Sequence, residues 1–183
     1  MDRLVKIVTE RFILRNLTEK DVTERYLSWL DDTKVKKNIT AAIKTKNLSD
    51  LKQYVRDKIG NDDILFLSIF EKTSGLHIGN IKYEPVNSEL GYAIMGILIG
   101  DLSYQGKGVA SEVIIASANW LKYNMKIKTI LLGVSINNDM AICAYRKVGF
   151  VFSKTEFIPN HPSTMVLDLL NLRQTFQDNC QNL

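Results

Sequence analysis

The segment from Tyr92 to Ile136 constrains the fold more than any other part of this 183-residue chain. Tyr92 to Ile99 reads as a strand, and its end, Ile97-Leu98-Ile99, lacks the apolar–polar alternation of a half-exposed one. That pattern predicts burial on both faces. Gly100 to Gly108 is loop-like, and Val109 to Tyr123 carries the strongest helical periodicity. Val109, Val113, Ala116 and Trp120 share one face, which Ile114, Leu121 and Met125 widen. Thr129 to Ile136 returns as a strand with Ile130, Leu132, Val134 and Ile136 on one side. A strand, a crossover helix and a second strand require local parallel pairing.

The flanking segments extend this unit into a mixed sheet. Arg11 to Arg15 has the character of a short strand, and Thr18 with Asp21 forms a cap-like pair ahead of Val22, Tyr26, Leu27, Trp29 and Leu30 at helical spacing. A second helix is expected after Ser49, with Leu51, Tyr54, Val55 and Ile59 on one face and Gly60-Asn61 at its end. Ile64 to Phe70 and Ile78 to Tyr83 flank the turn residues Lys72 to Gly75, an antiparallel hairpin. Glu84 to Glu89 breaks the strand pattern. Asn137-Asn138-Asp139 caps a short helix through Lys147, Gly149 stops it, and Phe150 opens another strand. Thr164 to Leu170 is the last strand and a candidate sheet edge. The expected fold is α/β (α+β), one domain over residues 1–170 with about seven strands and about four helices, followed by a polar tail at 171–183.

Composition narrows the functional classes. Hydrophobic residues at 45% and charged residues at 24% are ordinary for a globular domain, and no apolar run reaches the ~20 residues that span a bilayer. Charges at Asp2, Arg3 and Lys6 occupy the place of a signal peptide's apolar stretch, so a cytoplasmic location is expected. Cys143 and Cys180 are too few for a disulfide framework, and neither His77 nor His161 stands at a ligand spacing from them, so no metal site is expected. The net charge is +4, concentrated where Lys34, Lys36, Lys37, Lys44, Lys46, Lys52, Arg56 and Lys58 face only Asp50 and Asp57 as acids. This stretch reads as a solvated helical surface or as a basic wall for a phosphate-bearing ligand. Without an aromatic-and-basic stacking pattern it does not read as a nucleic-acid surface.

The chemistry concentrates in the loop Gln105-Gly106-Lys107-Gly108 ahead of the helix at Val109-Ala110-Ser111. Two glycines let the main chain approach a ligand closely. The helix start presents unpaired N–H groups and a partial positive charge, an arrangement that holds a phosphate. Glycines before a helix are also common in purely structural turns. The spacing matches neither a Walker loop nor the dinucleotide pattern GxGxxG, whose third glycine is replaced here by Ser111. Glu112, in the helix's first turn, suits the dipole but would repel a phosphate, and is read as structural, pointing away. By helix position alone Tyr145 is a packed aromatic beside Ala141 and Val148, and Asn138 a helix cap.

A specific resemblance then emerges. Gln105-Gly106-Lys107-Gly108-Val109-Ala110 is similar to the Q/R-x-x-G-x-G/A signature of the GNAT superfamily of N-acetyltransferases. Asn138-Asp139-Met140-Ala141-Ile142-Cys143-Ala144-Tyr145-Arg146-Lys147-Val148-Gly149-Phe150 resembles that superfamily's N-x-x-A-x-x-x-Y-x-K-x-G-F segment. Thr9-Glu10-Arg11-Phe12-Ile13-Leu14-Arg15 resembles the start of its ribosomal-protein N-acetyltransferase branch. The resemblance implies acetyl-coenzyme A as co-substrate, its pyrophosphate held by Gln105 to Ala110 and Ser111. It implies that the strand at Ile97, Leu98 and Ile99 splays from Leu131-Leu132-Gly133 and admits the pantetheine arm. A backbone N–H near Ile99 would then receive the acetyl oxygen, Asn138 would add a contact with the arm, and Tyr145 would act as the general acid for the departing thiolate.

The base that must deprotonate the amine is not legible in the sequence. Glu84 and Glu89 lie near the expected acceptor side and His77 early in a strand; Glu89 ranks first among them. The acceptor is expected to be a small molecule. The approach Ile99-Gly100-Asp101 is similar to bacterial enzymes that acetylate amino groups on nucleotide-linked sugars, and the basic stretch suits a nucleotide diphosphate. The N-terminal amine of a protein is the alternative acceptor, and a non-catalytic acetyl-coenzyme A sensor is the alternative function. Polycations rank lower because the chain is itself basic. The family leads one to expect a homodimer.

Overall fold

The structure, a computed structural model, describes residues 4–33, 35, 45–158, 163–170 and 172. The chain order is β1 (Lys6–Val8), β2 (Phe12–Asn16), a 3-10 turn (Glu19–Asp21), α1 (Glu24–Asp31), α2 (Leu48–Arg56), β3 (Leu65–Glu71), β4 (His77–Asn87) and β5 (Tyr92–Ile99). A 3-10 turn (Leu102–Tyr104) leads to α3 (Val109–Met125), β6 (Thr129–Gly133), α4 (Asp139–Val148), β7 (Val151–Phe152) and β8 (Thr164–Asp168). The strands form a single eight-stranded sheet in the order β1-β2-β3-β4-β5-β6-β8-β7. The first five run as an antiparallel meander, and β5 and β6 pair in parallel across the α3 crossover. The mixed sheet expected from the strand–helix–strand pattern is therefore present. The additional strand is β1, three residues too short to leave a periodic trace.

Apolar side chains cover both faces of the sheet. On one face α3 and α4 pack over Leu14, Leu67, Ile81, Tyr83, Ala93, Met95 and Ile130. On the other, α1 and α2 enclose a smaller cluster of Leu17, Val22, Tyr26, Trp29, Leu30, Leu51, Val55 and Phe66. The buried face of α3 is rotated from the expected one. Val109, Val113, Ile114, Ala118, Leu121 and Met125 are buried, while Ala116 and Trp120 are half-exposed. Two polar positions turn inward because they find partners. Ser117 meets the buried Tyr83 hydroxyl at 2.8 Å, and Glu112 meets the β1–β2 hairpin.

Several boundaries differ from the sequence reading. Thr18 and Asp21 form their reciprocal cap around the 3-10 turn, and the helix proper starts at Glu24 with Thr23 accepting from the Tyr26 N–H. β4 does not stop at Tyr83; it passes a bulge and pairs again through Val86 and Asn87. β6 ends at Gly133, leaving Val134 buried but Ile136 63% exposed. β8 is not an edge, because β6 and β7 pair on either side of it. Lys34, Lys36, Lys37, Lys44, His161, Cys180 and all of the 171–183 tail except Leu172 lie outside the described residues.

Candidate active site

The site is set by the place where β5 and β6 part. Their parallel register holds for three pairs, Tyr92 with Thr129, Ala93 with Ile130 and Ile94 with Leu131, yet β5 continues to Ile99. The run Ile97-Leu98-Ile99 is consequently half-exposed rather than buried on both faces, and Gly96 is exposed. This overturns the expectation drawn from its unbroken apolar character: the strand is left bare on the side that β6 vacates. The Gly100 N–H bonds to Ile78 on β4 at 2.9 Å. Alternation along the antiparallel ladder then turns the N–H and C=O of Ile99 and Ile97 away from β4, into the opening. The Gln105 side chain confirms that orientation by donating to the Ile99 carbonyl at 2.9 Å.

At the mouth of this opening lies the glycine loop. Gly106 and Gly108 adopt φ of 72° and 74°, the left-handed region in which a β-carbon is strained. Gly108 is the N-cap of α3 in that conformation, and Glu112 is the first residue whose N–H reaches a helix carbonyl, that of Gly108 at 3.2 Å. The amides of Val109, Ala110 and Ser111 therefore point out of the helix start. Lys107 is exposed on the same loop. The Ser111 hydroxyl faces the Ala144 carbonyl at 3.5 Å, the outer limit for a hydrogen bond, which sets α4 beside the start of α3.

Tyr145 is half-buried on α4, its ring 5.7 Å from that of Phe150. Burial pushes its phenol up to about 12, and among the described residues its hydroxyl has no hydrogen-bond partner. Asn138 caps α4, its side chain accepting from the Ala141 N–H at 3.3 Å. Gln105, Gly106, Lys107, Gly108, Ala110 and Ser111 thus lie beside the bared end of β5, joined to it by the Gln105–Ile99 bond, while the Val109 side chain is buried in the core.

The candidate bases are placed less favourably. Glu89 lies in the exposed turn before β5, whose first residue is Tyr92. Ile97 is five residues further along the strand, roughly 17 Å at the usual rise, so Glu89 is not brought to the opening. His77 is enclosed by Tyr26, Trp29 and Phe70 at ring distances of 5.9, 5.0 and 5.0 Å. Burial lowers its pKa, only partly opposed by the Asn80 side chain. Glu84 sits between the ammonium groups of Lys58 and Lys82. Burial alone would raise its carboxyl, but the two lysines hold it below the usual range.

Two sets of contacts in the site went unread in the sequence. Lys82 lies opposite Gly96 in the β4–β5 register and donates to the Tyr54 hydroxyl at 2.8 Å and to Glu84 at 2.5 Å. A β-carbon at Gly96 would meet nothing within 4 Å, so this stretch of the sheet is open. The second set joins the chain's beginning to the loop. Glu112, 8% exposed, accepts from the Thr9 hydroxyl at 2.6 Å, the Arg11 N–H at 3.0 Å and the Arg11 Nε at 2.7 Å. Burial raises its carboxyl, but these donors outweigh it and the pKa lies below the ordinary value. Glu112 thus points away from the loop mouth, as its position in the first turn led one to expect.

Comparisons with known proteins agree with this geometry. None of the curated proteins matches the sequence significantly. Among solved structures, the fold is similar to a GNAT-family acetyltransferase from Bacillus anthracis (TM-score 0.74, 18% identity, 90% of this chain and 98% of that one). It is similar to RimL, a ribosomal L7/L12 α-N-protein acetyltransferase in complex with coenzyme A (TM-score 0.76, 13% identity, 91% and 98%). It is similar also to AAC(6')-Ib in complex with paromomycin and acetyl-coenzyme A (TM-score 0.73, 23% identity, 92% and 99%). The family model for the acetyltransferase (GNAT) domain matches residues 11–151. With its parted parallel strands and its glycine loop at a helix start, this chain belongs to the GNAT acetyltransferase family.

Proposed function

We propose that this protein transfers the acetyl group of acetyl-coenzyme A to a primary amine carried on a nucleotide-linked sugar. The observation that carries the transfer reaction is the continuity between the bared edge of β5 and the glycine loop. An extended acyl-pantetheine arm pairs with the main chain of Ile97 and Ile99 while its pyrophosphate takes the amides of Gly106 to Ser111. The Ile97 and Ile99 N–H groups that face the opening are available to the acetyl oxygen as it gains negative charge.

In the reaction the neutral amine attacks the thioester carbon, a C–N bond forms, and collapse of the tetrahedral adduct breaks the C–S bond. Tyr145, whose phenol is protonated at neutral pH and kept so by burial, gives its proton to the departing sulfur. The amine's proton leaves through water, which returns a proton to the Tyr145 phenolate, so the hydroxyl is restored at the end of the turnover. Glu89 is left out of this scheme because β5 separates it from the opening, and Glu84 because its two lysine partners weaken it as a base. Asn138 serves first as the cap that fixes α4, and with it Tyr145.

The choice of acceptor rests on Lys58 and Lys82. Two ammonium groups share the one carboxylate of Glu84 beside the open Gly96 stretch. The excess positive charge suits a phosphate-bearing acceptor and disfavours a polycation. Thiol release from acetyl-coenzyme A against nucleotide-linked aminosugars, peptides with free N-termini, spermidine and an aminoglycoside tests the assignment. Turnover is expected with the aminosugars. Turnover with peptides alone would make the acceptor a protein N-terminus, and tight binding of acetyl-coenzyme A without turnover would support a sensor.

A further inference from the structure

The glycine loop is held by a residue nearly a hundred positions away. The guanidinium of Arg11, in the turn between β1 and β2, places Nε 2.7 Å from Glu112 Oε2 and Nη1 3.0 Å from the Lys107 carbonyl. A β-carbon on Gly108 would lie 3.7 Å from Nη2, so the third nitrogen rests against the loop between the two left-handed glycines and the helix start. Thr9 adds its hydroxyl to the same carboxylate, and the Arg11 N–H completes the set. The guanidinium plane thus spans two groups that both oppose an anion at the loop: a carbonyl oxygen and a carboxylate in the first turn of α3.

Each contact has a consequence for the loop. Tied to Arg11, the Lys107 carbonyl turns toward the hairpin, which leaves the following amides to point out of the helix start. The negative charge of Glu112 favours the dipole of α3 but repels a phosphate at the same helix end. Bonded to Arg11, that charge is cancelled locally without losing its place in the helix. The Arg11 side chain is itself 43% exposed, so it is not an interior strut.

From this geometry we infer that Arg11 is a positioning residue for the phosphates of the acyl donor: it fixes the Lys107–Gly108 turn and neutralises Glu112 beside the bound pyrophosphate. The inference rests on the loop's proposed role. It assigns the β1–β2 hairpin a part in donor affinity, and it predicts that this part concerns the phosphates and not the acyl-pantetheine arm.

The test compares equilibrium binding of acetyl-coenzyme A with that of S-acetyl-pantetheine, which lacks the phosphates, in the wild type, Arg11→Gln, Glu112→Gln and the double variant. Arg11→Gln is expected to weaken acetyl-coenzyme A about 10-fold, the effect of one uncompensated charge a few ångströms from a phosphate in partly screened surroundings. Its affinity for S-acetyl-pantetheine stays within about threefold of wild type, below half that effect on the same logarithmic scale. Adding Glu112→Gln to Arg11→Gln recovers part of the lost affinity, because the charge that Arg11 had cancelled is gone. Equal weakening of both donors would overturn the inference, since Arg11 would then be a plain structural contact. So would a variant that binds acetyl-coenzyme A as the wild type does. If the wild type itself binds the two donors alike, the loop is no phosphate site and the proposed function fails along with this inference.

Discussion

Gly100 follows the last residue of β5, and the Trp29 ring of α1 lies directly on it. A β-carbon at position 100 would sit 2.0 Å from Cδ2, 2.3 Å from Cγ and 2.4 Å from Cε3 of that ring. Contact between carbon atoms is comfortable at about 3.5–4.0 Å, so in Gly100→Ala the ring must retreat by roughly 1.5 Å. It has little room to do so. Trp29 is 7% exposed and is flanked by Tyr26 at 5.5 Å and His77 at 5.0 Å. Forcing one methyl group into a packed site costs about 1–3 kcal/mol, and full expulsion of a core tryptophan sets a ceiling near 3–5 kcal/mol. We expect Gly100→Ala to lose about 2–4 kcal/mol, which lowers Tm by roughly 4–16 °C for a chain of this size. Thermal unfolding followed by far-ultraviolet circular dichroism reads the shift. Repeating the substitution in a Trp29→Ala background isolates the clash, because there the added methyl group meets a cavity and its cost nearly vanishes. A Tm within about 2 °C of wild type, or the same loss in both backgrounds, would refute the claim that α1 is seated on the end of β5 through this contact.

The other predictions concern chemistry and pH. Tyr145→Phe should lower kcat by about 100- to 10,000-fold with KM for acetyl-coenzyme A little changed, and a KM effect alone would remove Tyr145 from the acid role. Because burial puts its phenol at about 12, the kcat profile should show no alkaline limb from Tyr145 below about pH 10. A limb at lower pH that disappears in Tyr145→Phe would contradict this. Asp21, Glu84, Asp101 and Glu112 are each held by hydrogen bonds and basic partners below the ordinary carboxylate range, in spite of burial. Groups depressed in the folded state stabilise it fully above their unfolded values and progressively less as pH falls through the folded ones. The urea midpoint should therefore be steady down to about pH 5 and decline below it; a flat profile from pH 6 to 3 would show that these carboxylates contribute nothing.

How far the sequence revealed this architecture depended on the range of the interactions. Local chemistry was legible. Tyr92–Ile99 stood out as a strand, and α4 could be read between its Asn138 cap and Gly149 because capping is decided within a few residues. β1 left no signal, and the second half of β4 was hidden because its pairing across a bulge is decided by β5, not by the residues around Pro85. The bared edge of β5 was missed by the apolar pattern, although the family resemblance implied it, and for a deeper reason. Ile97-Leu98-Ile99 is as apolar as a buried strand, and only the early departure of β6 exposes it. In the proposed function that apolar run is the surface on which the acyl donor lies. Glu112 offered a hint, since a carboxylate beside a phosphate loop calls for a compensating cation, but nothing local identifies Arg11 as that cation. Glu89 was expected near the acceptor side, and it stands in the turn before β5, at the far end of the strand from Ile97.

The central claim is that the acyl donor lies in the opening between β5 and β6, with its phosphates on the start of α3. An amide-resolved nuclear magnetic resonance titration with acetyl-coenzyme A addresses it most directly. We predict large shifts and slowed hydrogen exchange for the amides of Ile97, Ile99 and Gly106 to Ser111, with the exposed turn at Ser88, Glu89 and Leu90 unchanged. Saturable binding that leaves those amides untouched, or that moves only residues elsewhere in the sheet, would contradict it.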